Sequence, residues 1–183
     1  MSGTVVWRVV ALAAPAWVRA CSTCLDSAAR FAATDRFRVN ANGGRLDVWL
    51  LYACGACGAT AKRRLLHRAP VAAIEPARLD GYQRNDASLA WSHAFELAVR
   101  AELAYRVERP PLPGAGTLVA RLEQPHPCGV RWDRLLAREL GWSRARVVAA
   151  WRRGEIAVER ARTLSDRVAD GRLVRIALGP FPP

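Results

Sequence analysis

Apolar and polar positions alternate most cleanly between Arg36 and Tyr52. Phe37, Val39 and Ala41 take turns with Arg36, Arg38 and Asn40, and the pattern resumes with Leu46, Val48, Leu50 and Tyr52 after Asn42-Gly43-Gly44. A period of two marks a half-buried strand, and Asn and Gly tolerate the positive φ of a tight turn, so this stretch predicts a β-hairpin. Upstream, Thr4 to Val18 is rich in valine, tryptophan and alanine and is broken by Pro15, which predicts two short strands leading toward Cys21. After Lys62-Arg63-Arg64 the pattern turns helical. Asn85-Asp86 can cap a helix running to about Val107, a segment favoured by its length and its alanine, leucine and glutamate content. The Pro/Gly stretch Arg109 to Gly116 reads as a linker, and Thr117 to Leu122 as a strand.

A second helical period follows. At about 100° per residue, Trp132, Leu135, Leu136 and Leu140 form one apolar stripe, with Arg131, Arg134 and Arg138 together on another face. Glu139 falls inside the apolar arc, which points to an early end of this helix. Gly141-Trp142 makes the turn and Ser143 suits an N-cap. In the next helix Val147, Val148, Ala150 and Trp151 share a face, Arg146 and Arg153 project opposite, and Gly154 stops it. Strands are expected at Glu155 to Glu159 and Leu173 to Leu178.

Charge changes the picture at this point. The chain carries 28 basic and 16 acidic residues, +12 in all, distributed as +7 over residues 1–70, −1 over 71–125 and +6 over 126–183. All the basic residues but Lys62 are arginines, which a GC-rich coding bias would explain; the excess of base over acid is a separate matter and suits a polyanion. Seven arginines against two acids lie between Arg131 and Gly154.

Five cysteines are present, four of them as Cys21-Ser22-Thr23-Cys24 and Cys54-Gly55-Ala56-Cys57. Paired CxxC with an odd total favours a metal site in a reducing compartment over a secreted disulfide framework. Two pairs at the ends of a hairpin resemble a zinc ribbon, in which Cys21, Cys24, Cys54 and Cys57 would close a structural Zn2+ tetrahedron. A redox dithiol and unligated buried thiols are the alternatives. Cys128, which follows Pro125-His126-Pro127, reads as incidental rather than reactive. The missing basic n-region, Arg8 ahead of the apolar run and Arg19 two residues before Cys21 speak against export, and no stretch reaches the roughly 18 apolar residues of a membrane span. A cytoplasmic protein is expected.

The order RWDRLLAREL, SRARVVAAWRRGEIAV, VADGRLVRI resembles the RNA-binding domain of the fourth small-subunit ribosomal protein, the α-L motif. Arg131, Asp133, Leu136, Ser143, Arg144, Gly154 and Gly171 match that family's recurrent positions. The resemblance implies recognition of structured RNA, commonly rRNA or tRNA, through Arg131, Arg134, Ser143, Arg144, Arg146, Arg152 and Arg153. Two departures stand out: Arg146 replaces a usual acid, and Val158-Glu159-Arg160 replaces the usual Val-Asn-Gly turn. The hairpin sequence FRVNANGGRLDVWLLYACGAC, taken with this motif, is also similar to a bacterial family of small uncharacterised proteins.

The resulting expectation is an α+β chain: a zinc-ribbon-like β domain over residues 1–70, a helical connector and linker over 71–116, and an α-L-like RNA-binding domain over 117–183. His67, His93 and His126 are scattered, and no carboxylate pair, serine–histidine set or phosphate-binding glycine loop appears. The function expected is non-catalytic, zinc-stabilised binding of rRNA, tRNA or the ribosome, with no small-molecule substrate. The alternative is a protein-interaction or DNA-associated adaptor using the ribbon; an RNA-modifying enzyme ranks last. Phe37 and Trp49 could stack bases, although core packing is the expected use of both.

Overall fold

The computed structural model describes residues 3–99 and 101–179, a mixed α+β chain with two β-sheets and four α-helices. It divides into two compact units, Met1–Ala13 with Val99–Pro183, and Ala14–Ala98. The divisions expected at 70 and 116 differ from this one because the first strand pairs with segments nearly a hundred residues downstream.

That discontinuous unit is a five-stranded sheet in the order β6-β1-β7-β9-β8, formed by β1 (Val5–Ala11), β6 (Tyr105–Glu108), β7 (Gly116–Glu123), β8 (Ile156–Val158) and β9 (Leu173–Leu178). β1 runs antiparallel to β6 and parallel to β7, with Trp7 opposite Leu122. A parallel pair requires a long crossover, and the whole of the other unit lies within it. Trp7, Val9, Leu118, Ala120, Leu122, Val174 and Ile176 alternate onto one face, where they pack with α3 (Trp132–Leu140) and α4 (Arg144–Arg152) through Leu135, Leu136, Val147 and Ala150. The helix expected from Asp86 to about Val107 is replaced in its last part by β6. Alanine and leucine content is a weak prior that strand pairing overrides, and Tyr105 and Val107 are held opposite Ala11 and Val9. The Pro/Gly stretch is therefore a loop between two strands of one sheet. Its Arg109 donates to Glu139 Oε2 at 2.8 Å and to the Glu139 carbonyl at 3.0 Å. This pairing lets α3 run past Glu139, where the sequence pointed to an early end.

The continuous unit is an antiparallel meander, β2-β3-β4-β5, with β2 (Trp17–Arg19), β3 (Ala29–Asn42), β4 (Arg45–Cys54) and β5 (Thr60–Pro70). The expected hairpin is there: Asn42 faces Arg45 across Gly43 and Gly44, whose φ of 56° and 74° suit a tight turn that twists with the strands. Lys62-Arg63-Arg64, where a helical pattern was expected to begin, lies within β5. α1 (Pro76–Arg84) and α2 (Ala87–Ala94) follow, and the Asp86 carboxylate caps α2 by accepting from Leu89 N at 2.8 Å. Phe37, Val48, Leu50 and Tyr52 pack with Tyr82, Ala90 and Ala94.

A chain of polar contacts runs through this core. Arg78 Nε donates to Tyr82 Oη at 2.9 Å, Tyr82 to His93 Nε2 at 3.0 Å, and His93 Nδ1 to Glu96 Oε1 at 2.6 Å; Arg63 Nη2 completes it on Glu96 Oε2 at 2.9 Å. The directions follow from a neutral imidazole, since burial lowers the His93 pKa against the opposing influence of Glu96. Tyr82 and His93 are buried. Their polar atoms answer one another, which orients the two helices on the sheet.

Candidate functional site

Each cysteine pair sits on a chain reversal. Cys21-Ser22-Thr23-Cys24 joins β2 to β3, and Cys54-Gly55-Ala56-Cys57 joins β4 to β5. The two reversals share their local geometry. Cys21 N donates to the Asp26 carbonyl and Cys54 N to the Ala59 carbonyl, each at 2.9 Å, five residues on. The residue after each pair has positive φ, 74° at Gly58 and 60° at Leu25. Glycine adopts that conformation freely whereas leucine is strained in it, and Leu25 is also 83% exposed. One knuckle thus has a residue suited to its backbone; the other tolerates an unsuited one.

The pairing of β2, β3 and β4, with Phe31 between Trp17 and Cys54, brings the reversals together. All four Sγ atoms lie within 4.8 Å of one another, able to hold a metal ion. Cys21 Sγ is 3.6 Å from Cys57 Sγ and Cys24 Sγ is 3.9 Å from Cys54 Sγ. All four are free thiols, with Cys21 and Cys54 buried and Cys24 and Cys57 exposed. Amides of Cys24 and Thr23 draw the Cys21 thiol down to about 6. At Cys57 the amide of Ala59 pulls the same way, but desolvation and the neighbouring sulfurs win and push it up to about 12. The spread follows from the crowding of the four sulfurs, where a charge on one disfavours a charge on the next.

The seven residues singled out for RNA lie on or beside α3 and α4, but they do not form a uniformly free surface. Asp133, 5% exposed at its side chain, accepts from Arg131 Nη2 at 3.0 Å and from Arg144 Nη2 at 2.7 Å. Arg131 also donates to Ser165 Oγ. Arg134 pairs with Glu102 and Arg153 with Glu155. These four arginines nonetheless expose between 37% and 57% of their side chains. Arg146 lies over the Trp142 ring with 4.2 Å from guanidinium carbon to centroid. Arg152 is exposed and forms no ion pair among the described residues. Ser143 caps α4, its Oγ accepting from Arg146 N at 3.1 Å, so its hydroxyl already has a structural task.

Asp133 was not among the expected site residues, although it is the residue that organises two of them. It brings Arg131, the N-cap of α3, beside Arg144, the first residue of α4. Two helix N-termini and two guanidiniums then surround one carboxylate, leaving a net positive pole. The signal in the sequence was the lone acid amid Arg131, Arg134 and Arg138. Cys128 is buried in the core of its unit, and burial pushes its thiol up, which fits an incidental cysteine. Among the described residues, no helix is long and apolar enough to cross a membrane.

Residues 39–162 match the family described as "Protein of unknown function (DUF1062)". The chain belongs to that family. The matched segment runs from the central hairpin through the second CxxC pair to the end of the helix pair and β8, taking in parts of both units. No curated protein and no solved structure matches the chain.

Proposed function

We propose that this protein is a non-catalytic, zinc-stabilised RNA-binding protein that recognises structured RNA, rRNA or tRNA, free or within the ribosome. The observation carrying the reading is the Arg131–Asp133–Arg144 cluster at the joined N-termini of α3 and α4, with Arg134 and Arg146 in the first turns of the same helices and Arg152 and Arg153 at the far end of α4. A guanidinium has five donors, and its bond to Asp133 engages only some of them. The guanidinium ends of these pairs are half exposed, so a phosphate can reach the donors that Asp133 leaves free. The buried carboxylate fixes their position and reduces the entropy lost on binding. The unit bearing them has 17 basic and 9 acidic residues, a balance suited to counterion release from a phosphate backbone.

Zinc supports this reading as the structural ion of the other unit. Four sulfurs at about 2.3 Å from a central Zn2+ would stand about 3.8 Å apart along the edges of the tetrahedron. Two of the separations, 3.6 and 3.9 Å, bracket that value. All four positions are filled by thiolate donors, which suits a closed structural site of the ribbon type. The helix pair followed by β8 and β9 is likewise the arrangement the α-L resemblance implies.

Absorbance of the purified protein at 260 nm, with sequencing of RNA crosslinked in the cell, tests the proposal. Enrichment of rRNA or tRNA fragments is the expected outcome. Protein free of RNA that crosslinks only to other proteins would favour the adaptor reading instead.

A further inference from the structure

The sheet of the continuous unit has a second face. Alternation along β4 sends Leu46, Val48, Leu50 and Tyr52 into the core and Trp49, Leu51 and Ala53 to the opposite side. Neither Trp49 nor Leu51 belongs to the packed core, and both remain partly exposed. The expectation that Phe37 and Trp49 both serve the core therefore holds for Phe37 alone.

The strand register places cations around this tryptophan. Arg38 on β3 and Arg64 on β5 stand directly opposite Trp49, one on each side, and Lys62 stands opposite Leu51. Arg63, between Lys62 and Arg64, points the other way and bonds to the His93 carbonyl and Glu96 under α2, which confirms the alternation. Arg30 and Val18, paired across β2 and β3, extend the patch toward the cysteine knuckles, and Val18 is half exposed. The acid of the facing positions, Asp47, accepts from His67 Nδ1 and Arg68 N, each at 3.0 Å. The result is a row of arginine, tryptophan and arginine across three strands of the sheet, with a lysine and a further arginine on the same face.

We infer that this face is a second RNA surface, which binds a single-stranded segment by stacking a base on Trp49 while Arg38, Arg64 and Lys62 hold the flanking phosphates. The inference rests on the RNA-binding reading above and assigns the unpaired part of the ligand to a different unit. Charge complementarity commits the face to a polyanion, and an aromatic plane between two cations suits a stacked base. Stacking and phosphate contacts alone imply little sequence preference. Neighbouring strands are about 4.8 Å apart, so cations on either side of the tryptophan fall within reach of successive phosphates.

The test uses the whole 183-residue chain, metal-loaded, with a fluorescein-labelled uridine 12-mer in fluorescence anisotropy and a tRNA as the structured comparison. Trp49→Ala should weaken 12-mer binding roughly 5- to 150-fold, the range of one base stack, and Trp49→Phe should restore most of it. Arg38→Glu with Arg64→Glu should flatten the salt dependence of 12-mer binding. Circular dichroism and metal content identify variants that have lost their fold, and Trp49→Phe provides the folded control. Unchanged 12-mer binding by folded Trp49→Ala would overturn the inference while leaving tRNA binding by the helix pair intact. Displacement of the 12-mer from this face by phosphatidylglycerol vesicles, with equal affinity for them in Trp49→Ala, would also overturn it by showing a lipid-facing cationic patch.

Discussion

The two units are stabilised in different ways. The discontinuous unit brackets its partner in sequence, and its core contains Trp7, Trp132, Leu122, Leu135, Leu136 and Ile176, all essentially buried. The continuous unit has a smaller apolar cluster that includes two of its own cysteines, Cys21 and Cys54. A core of the first kind follows from burial of apolar surface. On the proposed function the second would rely also on a metal ion held by the four cysteines, in the way small metal domains substitute ligation for burial. The charged groups differ as well. On α3 and α4, Asp133 and Glu139 hold arginines in place; on the open sheet face the cations stand beside an aromatic ring.

The largest predicted effect breaks the comparison most directly. Removing metal with a chelator, or replacing Cys54 by Ser, should unfold residues 14–98, because structural zinc carries about 10–16 kcal/mol of apparent binding free energy in finger peptides. Hydrogen exchange resolved by segment should show protection lost there and retained in β7, β9, α3 and α4. A loop enlarged by unfolding costs little, since closure entropy grows only logarithmically with length. Loss of protection in both units at once, or in neither, would refute the division of labour.

Next in size is Asp133→Ala, which leaves Arg131 and Arg144 without their shared buried acceptor. It should destabilise the discontinuous unit by about 1–3 kcal/mol, read as a lower urea midpoint. A change confined to a few tenths would show that the carboxylate merely accompanies the arginines.

The continuous unit should also respond to acid through His93. Burial lowers its folded pKa, so the folded chain takes up a proton less readily than the unfolded one, whose histidine titrates near about 6.5. This contribution to stability is complete above that value and declines as pH falls through it toward the lowered folded pKa. His93→Gln should flatten that limb of the urea midpoint against pH. An unchanged limb would place the acid sensitivity elsewhere, at carboxylates such as Asp47 or Asp86, whose pKa values are lowered by amide and hydroxyl hydrogen bonds.

The smallest effect concerns the unequal knuckles. Leu25→Gly relieves a positive φ, offset in part by the greater freedom glycine gives the unfolded chain. A net stabilisation of about 0.5 kcal/mol, measured with metal bound, is expected. Destabilisation would mean that the exposed leucine has a packing role of its own.

Local periodicity made much of this architecture legible. The hairpin around Gly43 and Gly44, the stripes of α3 and α4, the Ser143 and Asp86 caps and the four-cysteine cluster each have a short-range signature. What was hidden involves distant partners. Nothing within Val5–Ala11 announces that it lies between strands more than ninety residues later. Lys62-Arg63-Arg64 conceals a strand because charge occupies both faces, Arg63 reaching under α2 while its neighbours point outward. Tyr105 to Glu108 conceals another behind helix-forming neighbours. At the site, the arginines could be picked out by type, but their ion pairs could not. Only the fold shows that Glu102, Asp133 and Glu155 answer four of them.

The central claim is that the helix pair grips structured RNA through its phosphates. Its most direct test is the salt dependence of tRNA binding by the wild-type chain and by Arg146→Glu with Arg152→Glu, two positions outside the ion pairs. The account predicts a steep decline of log K with log salt in the wild type, and in the variant a weaker complex whose slope is shallower by about 2, roughly one per lost phosphate contact. Equal affinity and equal slope in the two proteins would contradict it.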